Sequence, residues 1–147
     1  MLRVLVPVDR SPAALAAVRH VMQLAHHGLA LHVVLAHVES EATPIELLRT
    51  NPDVLAGATS GAAESAFEPA EELLRGMNIT FERDLSLGDP ARVLLEVCER
   101  CHCRMIVIGS TERGDLHSAI FGSVSHTVAN KSHVPVTLVH PRDDAAA

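Results

Sequence analysis

The chain has neither tryptophan nor tyrosine and only three phenylalanines, although 48% of its 147 residues are hydrophobic. Its core must therefore be built from Val, Leu, Ile and Ala, a composition that suits helices packed on a buried parallel sheet. Cationic residues are also short, with 12 Lys and Arg against 18 Asp and Glu and a formal charge of −6. That balance argues against non-specific nucleic-acid binding, which runs on Lys and Arg, while leaving room for a small anion held by one local group of donors. Ten histidines soften the charge at about pH 6, where unperturbed imidazole titrates. Cysteine is scarce, odd in number and clustered at Cys98, Cys101 and Cys103, which excludes a disulfide framework. No long apolar run opens the chain: residues 1–11 are broken by Pro7 and closed by Asp9, unlike a signal peptide or a membrane span. The expectation is a soluble cytoplasmic protein, and the length fits one domain with a sizeable core.

The common motifs of catalysis and phosphate binding are missing as well. Neither GxxxxGK[ST] nor GxGxxG occurs, and HExxH and the GxSxG elbow are absent. Ser123 and His126 stand one helical turn apart but without a frame that would make them nucleophile and base. No general acid–base pair stands out, and no catalytic residue is assigned.

What is present is a regular alternation of strand-like and helix-like stretches. Residues 2–8 are almost continuously apolar, the pattern of a central strand. Ser11-Pro12 reads as a helix N-cap with proline at the first helical position; Leu15, Val18, Met22 and Ala25 follow at helical spacing, and Gly28 supplies the stop. Residues 29–38 read as a second apolar strand. Residues 39–60 are acidic, carry Pro44, Pro52 and Gly57, and read as an irregular loop with a short helix over 44–49. Such a loop suits a lid or a partner surface, and equally a tolerated surface insertion. Ala63, Phe67, Ala70 and Leu74 predict the buried stripe of a helix over 61–75 that Gly76 ends, and Pro69 predicts a kink or a later start. Ile79, Phe81, Arg83 and Leu85 alternate with Asn78, Thr80, Glu82 and Asp84, which predicts a strand near an edge. Gly88-Asp89-Pro90 turns the chain into a helix over 91–101, and residues 105–108 form a short apolar strand. A helix over about 122–130 and a strand over 134–139 complete the pattern, with Pro135 placing that last strand at an edge. One domain over 1–141 is expected, with 142–147 as a disordered tail.

The class is α/β: a doubly wound, five-stranded parallel sheet, Rossmann-like, in the order 3-2-1-4-5. That order places the topological switch point between strands one and four, and ligands bind there, outside the carboxyl ends of the strands. Asp9 lies at the end of strand one and Gly109 at the end of strand four. The stretch from Met105 to Ser125 strengthens the choice. It reads as a buried strand, a polar loop containing Gly114, and Gly122-Ser123 opening a helix. Free backbone N–H groups and a helix dipole at that point suit phosphate.

Four stretches resemble the universal stress protein family. They are LVPVDRSP at 5–12, LAHV at 35–38, Gly88-Asp89-Pro90, and Gly109 through Ser123, which resembles the glycine signature Gly-x2-Gly-x9-Gly-[Ser/Thr]. The resemblance spans nearly the whole chain and implies the same five-stranded fold. In ATP-binding members the aspartate after strand one and the backbone at the end of strand two hold the adenosine end, while the glycine loop holds the phosphates. Carried over by position, this implicates Pro7, Val8, Asp9, Val38, Ile108, Gly109, Gly122, Ser123, Val124 and Ser125 as nucleotide-binding residues. ATP is the implied ligand, with ADP or AMP as alternatives and Mg²⁺ as an accompanying ion; slow ATP hydrolysis is the most chemistry implied. Two departures matter. The middle glycine of the signature is replaced by Glu112, a carboxylate that opposes polyphosphate unless Mg²⁺ or Arg113 screens it. Arg104 stands where the family commonly has an acidic residue and is expected to face solvent.

Cys98 to Cys103 contains C-x-x-C-H, but the motif ends a helix whose stripe is Leu94, Val97, Cys98 and Cys101, so buried structural thiols are the favoured reading over zinc, redox sensing or haem. The histidines show no metal spacing; His37, beside Val38, is the most interesting of them. The function expected is a stress-response binding module in which adenine nucleotide orders the loop over 110–121. The alternative is a dimeric interaction protein that binds no nucleotide, with Glu112 marking the loss. The family commonly dimerises through its last strand, and the exposed edge from Val134 to Val139 suits a homodimer.

Overall fold

A computed structural model describes residues 1–40, 52–110 and 119–142. The elements run β1 (Leu2–Pro7), α1 (Pro12–His26), β2 (Leu31–Glu39), α2 (Pro52–Gly76), β3 (Thr80–Leu87), α3 (Pro90–Arg100), β4 (Met105–Gly109), α4 (Ala119–Lys131) and β5 (Val136–Val139). The five strands form one parallel sheet in the order β3-β2-β1-β4-β5, as the alternation of elements predicts.

The central strands are apolar on both faces because each face carries its own layer. Val4, Val6, Val33, Leu35 and Val107 pack against Ala17, Val18 and Val21 of α1 and Phe67, Ala70 and Leu74 of α2. Leu5, Val34, Ala36, Ile106 and Ile108 point the other way, against Val93, Leu94 and Val97 of α3 and Val128 of α4. Alternate side chains thus serve opposite layers, which is the period of a strand written in a sequence that never turns polar. In α1 the buried residues are Ala13, Ala14, Ala17, Val18 and Val21, while Leu15, Met22 and Ala25 flank them half-buried. The stripe sits one step from the predicted one because small alanines let the helix lie close to β1.

Several predicted boundaries shift. β2 starts at Leu31, since Leu29 belongs to the cap of α1. β5 starts at Val136: Pro135 has no N–H for the ladder and contributes only its carbonyl, which accepts from Ile106 N–H at 3.0 Å. The largest correction is α2, which begins at Pro52 and runs straight through Pro69. An internal proline costs about 3 kcal/mol. Pro69 is exposed, and the buried Ala63, Ala66, Phe67, Ala70 and Leu74 on both sides of it bury enough apolar surface to offset that cost. Residues 52–60, predicted to be loop, are therefore helical, while the short helix predicted over 44–49 and the tail from 143 lie outside the described residues.

β3 is an edge strand, as predicted. Its Arg83 occupies an inward position because it meets the buried carboxylate of Glu71, pairs with Glu64 at 2.7 Å, and stacks its guanidinium 5.1 Å above the Phe67 ring. The hydrogen bond from Arg83 holds the Glu64 carboxyl below its ordinary range.

Candidate functional site

The parallel connections bring the C-terminal ends of all five strands, and the N-termini of the helices, to one edge of the sheet. At that edge the sheet divides. β1 stays with β2 through Pro7 and Ala36, and Val8 N–H continues the ladder to Ala36 O at 2.8 Å. β4 stays with β5 through Gly109 and Val139, and Ser110 N–H continues to Val139 O at 2.8 Å. Between β1 and β4, by contrast, the paired residues are Val4 with Met105 and Leu5 with Ile106. Pro7, Val8 and Asp9 therefore form one lip of a split, and Ile108, Gly109 and Ser110 the other. The switch point predicted from strand order is thus the place where ladder pairing between the two central strands stops, short of their C-terminal ends.

The first turn of α1 packs directly against the end of β4 there. A β-carbon on Gly109 would stand 2.1 Å from the carbonyl oxygen of Ala13 and 3.0 Å from its β-carbon. Gly109 is buried because only a residue without a side chain admits the helix backbone there. Its glycine thus has a packing duty at the sheet end, in addition to any ligand role.

Asp9 starts the connection to α1. Its Oδ1 accepts from Ser11 N–H at 2.7 Å, and the Ser11 hydroxyl accepts in turn from Ala14 N–H at 3.2 Å, capping the helix as predicted. The second carboxylate oxygen of Asp9 has no hydrogen-bond partner among the described residues. It is half-buried on the lip and available as an acceptor.

His37 links the lip to the rest of the edge. Its Nδ1 lies 2.8 Å from Val8 O and its Nε2 3.1 Å from Glu39 Oε1, and the ring meets Phe67 edge-on at 6.1 Å. The Val8 carbonyl can only accept, so His37 Nδ1–H donates to it. Glu39 also receives Gly88 N–H on its carbonyl at 3.0 Å, tying the end of β2 to the turn before α3. There Gly88 has φ +131° and Asp89 caps α3, accepting from Arg92 N–H at 3.1 Å. Sequence reasoning singled out His37 but missed Glu39 and Ala13. Glu39 had a signal, two residues along the strand and so on the same face; Ala13 had none, since its role is set by a distant backbone.

The glycine–serine segment sits differently from its prediction. Gly122 and Ser123 do not open α4, which begins at Ala119. Gly122 and Ser123 are the fourth and fifth residues of α4, inside the helix and past its cap. Ser123 is exposed and is not the cap; its carbonyl accepts from the Thr127 hydroxyl at 2.9 Å. Ser125 is buried with its hydroxyl donating to Gly122 O at 3.1 Å, and Val124 is half-buried against the α3–α4 layer. Val38 is half-buried at the end of β2 in that same layer. Residues 111–118, including Glu112, Arg113 and Gly114, lie outside the described residues.

Among the described residues no group of three or more His, Cys, Asp and Glu side chains gathers as a metal site would, and no helix is long and apolar enough to cross a membrane. Arg104 faces solvent, as predicted.

A model of the universal stress protein family matches residues 1–140. The chain belongs to the universal stress protein family. The stress response protein NhaX of Bacillus subtilis is 36% identical over 76 residues, an alignment covering 52% of this chain and 46% of that protein. A universal stress protein family protein from Arabidopsis thaliana, solved with AMP bound, matches over 100% of this chain and 96% of that one at 16% identity and a TM-score of 0.75. A universal stress protein solved in complex with cAMP matches over 96% and 98% at 21% identity and a TM-score of 0.73. At these identities the likeness concerns the fold: the doubly wound sheet described above is that of universal stress proteins.

Proposed function

We propose that this universal stress protein is a cytoplasmic regulatory module that binds adenine nucleotide in the split between β1 and β4. The observation that supports the reading is the end of ladder pairing between the two central strands at Leu5 and Ile106, short of Pro7–Asp9 and Ile108–Ser110 at the switch point. Members with the same fold hold AMP or cAMP. In this reading the unoccupied oxygen of Asp9 meets sugar hydroxyls, and the backbone at Val38 and Val8 meets the base. Backbone at Gly109 and in the first turns of α4, with Ser123 and Ser125 beside it, meets phosphate. An ionised carboxylate is acceptor-only, which assigns Asp9 to hydroxyls and not to phosphates. The negative Glu112 favours a monophosphate over a triphosphate, so AMP is preferred to ATP unless Mg²⁺ intervenes.

The test is mass spectrometry of gently denatured protein for co-purified nucleotide, followed by calorimetric titration with AMP, cAMP and ATP, each with and without Mg²⁺. A micromolar dissociation constant for an adenine nucleotide supports the reading; folded protein that carries none and gives no heat with any of the three overturns it.

The second reading, an interaction protein without nucleotide, is favoured by the outer edge of β5, a strand that pairs with β4 on one side and carries Leu138 at 43% exposure. An open apolar edge invites a second copy. A homodimer through Val134 to Val139 is expected under either reading. Sedimentation of the wild type as a dimer and of Leu138→Lys as a monomer supports it, and a monomeric wild type at micromolar concentration removes it.

A further inference from the structure

Three helices of the chain end in the same way. After α1, Gly28 takes φ +103°, its N–H bonds Ala25 O at 3.0 Å, and Leu29 N–H reaches Leu24 O at 3.1 Å. After α2, Asn78 takes φ +56°, with Asn78 N–H on Arg75 O and Ile79 N–H on Leu74 O, both at 3.0 Å. After α3, His102 takes φ +54°, with His102 N–H on Glu99 O at 3.1 Å and Cys103 N–H on Cys98 O at 2.9 Å. This is the Schellman termination, which sets the third-last helical side chain beside the one that follows the left-handed residue. In the first two helices those positions hold Leu24 with Leu29 and Leu74 with Ile79. In α3 they hold Cys98 with Cys103.

The motif therefore pairs two thiols where its other copies pair aliphatic side chains. The 2.9 Å backbone bond keeps the two α-carbons within about 7 Å, the separation beyond which a disulfide cannot close without backbone movement. Cys98 Sγ lies 3.8 Å from Cys103 O, and both residues are buried in the α3–α4 layer. The proximity of the two side chains holds the Cys98 thiol below the ordinary range and Cys103 above it, as expected when one sulfur of a pair ionises first. Cys101 differs. It is the C-cap, half-buried, its thiol pushed up by burial and its carbonyl accepting from Arg3 Nε at 2.6 Å.

We propose that Cys98 and Cys103 form a dithiol oxidation site, at which a hydroperoxide or a small-molecule disulfide joins the two sulfurs in an intrachain bond. With a hydroperoxide, the Cys98 thiolate attacks the terminal peroxide oxygen, the O–O bond breaks, and water or an alcohol leaves. The Cys103 sulfur then attacks the resulting sulfenic acid, the S–O bond breaks, and a second oxygen leaves as water. Two electrons pass from the thiols to the peroxide, and both thiol protons end in the released products. With a small disulfide, two exchange steps release two small thiols. The site lies where α3 enters β4, at the edge of the sheet opposite the β1–β4 split, so it stands independently of the nucleotide reading.

The test treats the reduced, folded chain with hydrogen peroxide or oxidised glutathione, then alkylates free thiols after denaturation and maps the peptides. Two of three cysteines protected, a mass lower by two hydrogens, a Cys98–Cys103 linked peptide, a monomer without reductant, and reversal by dithiothreitol support the proposal. Cys101→Ser retains the behaviour, and Cys98→Ser and Cys103→Ser each lose it. Protection that requires Cys101, cross-linked dimers, irreversible oxygen adducts, or three unprotected thiols in folded protein overturns it. The peptide map of the wild type decides even where a serine variant folds poorly.

Discussion

The carbonyl oxygen of Ala13 lies 2.1 Å from where a β-carbon on Gly109 would begin, so the first turn of α1 and the end of β4 meet backbone to backbone. Neither group can yield cheaply, since one is a helix main chain and the other a central strand. Gly109→Ala must displace α1, and overpacking of this kind costs about 1–3 kcal/mol. For a chain of this length that is a melting temperature lower by about 3 °C for each kcal/mol. A thermal melt without any nucleotide checks it. An unchanged melting temperature would return Gly109 to a purely ligand-facing role.

His37 spans two acceptors that belong to different segments, Val8 O at the end of β1 and Glu39 at the end of β2. His37→Ala removes both bonds and the contact with Phe67, and is expected to cost about 1–3 kcal/mol. If the lip formed by Val8 and Asp9 holds a ligand, the same substitution also weakens that ligand's binding. His37→Gln, which keeps one donor, restores part of the stability. Chemical denaturation of the three forms measures the first effect, and titration with AMP the second.

The sheet order, the two buried layers and the switch point were legible because they rest on features a sequence carries directly: apolar runs, capping residues and glycine stops. Ser11 and Asp89 cap the helices that they announce. Legibility failed where a distant contact outweighs a local preference. Pro69 suggests a kink or a later start, but α2 starts earlier and continues past it, because Phe67 and Leu74 are held by strands that the helix pattern does not mention. Gly76 signals a stop and α2 does end there, although the left-handed residue that completes the termination is Asn78, which the sequence did not announce. Gly122 and Ser123 resemble a helix start by motif, whereas the helix begins three residues earlier. In the site, Asp9 and Gly109 were readable from strand ends. The Val8–His37–Glu39 chain was not, because it depends on which strands become neighbours.

Acid should loosen the α2–β3 contact. Glu64 is held below the ordinary carboxylate range by its hydrogen bond from Arg83. Burial works against ionisation of Glu82, but His32 and Arg3 prevail, so it too is held low. A carboxyl whose folded value is depressed contributes stability that is present above its ordinary value and lost as pH falls through the folded value. Stability should therefore decline below about pH 4, the ordinary glutamate range, and Glu64→Gln should make the decline shallower. Arg83→Gln is harsher, since among the described residues it leaves the buried Glu71 with only Arg75 at 3.4 Å. Breaking a buried pair from one side costs about 3 kcal/mol. Urea midpoints between neutral and acid pH check both.

Glu112 stands where the family signature has glycine, in the connection between the lip at Gly109 and α4. A carboxylate about 4 Å from a phosphate charge opposes it by about 1 kcal/mol at the dielectric of water, and by more where the site is partly closed. Glu112→Gly removes that charge and frees the loop backbone to turn toward the phosphates. If the split between β1 and β4 is the nucleotide site, the substitution should tighten ATP by about tenfold and AMP by less, because the triphosphate carries more charge near the loop. It should also reduce the dependence of ATP binding on Mg²⁺, which screens the same repulsion. Calorimetric titration of the wild type and the variant with both nucleotides, with and without Mg²⁺, measures all of these. Equal gains for ATP and AMP would assign the effect to loop freedom and not to charge, and no gain for either would leave the loop outside the ligand's reach.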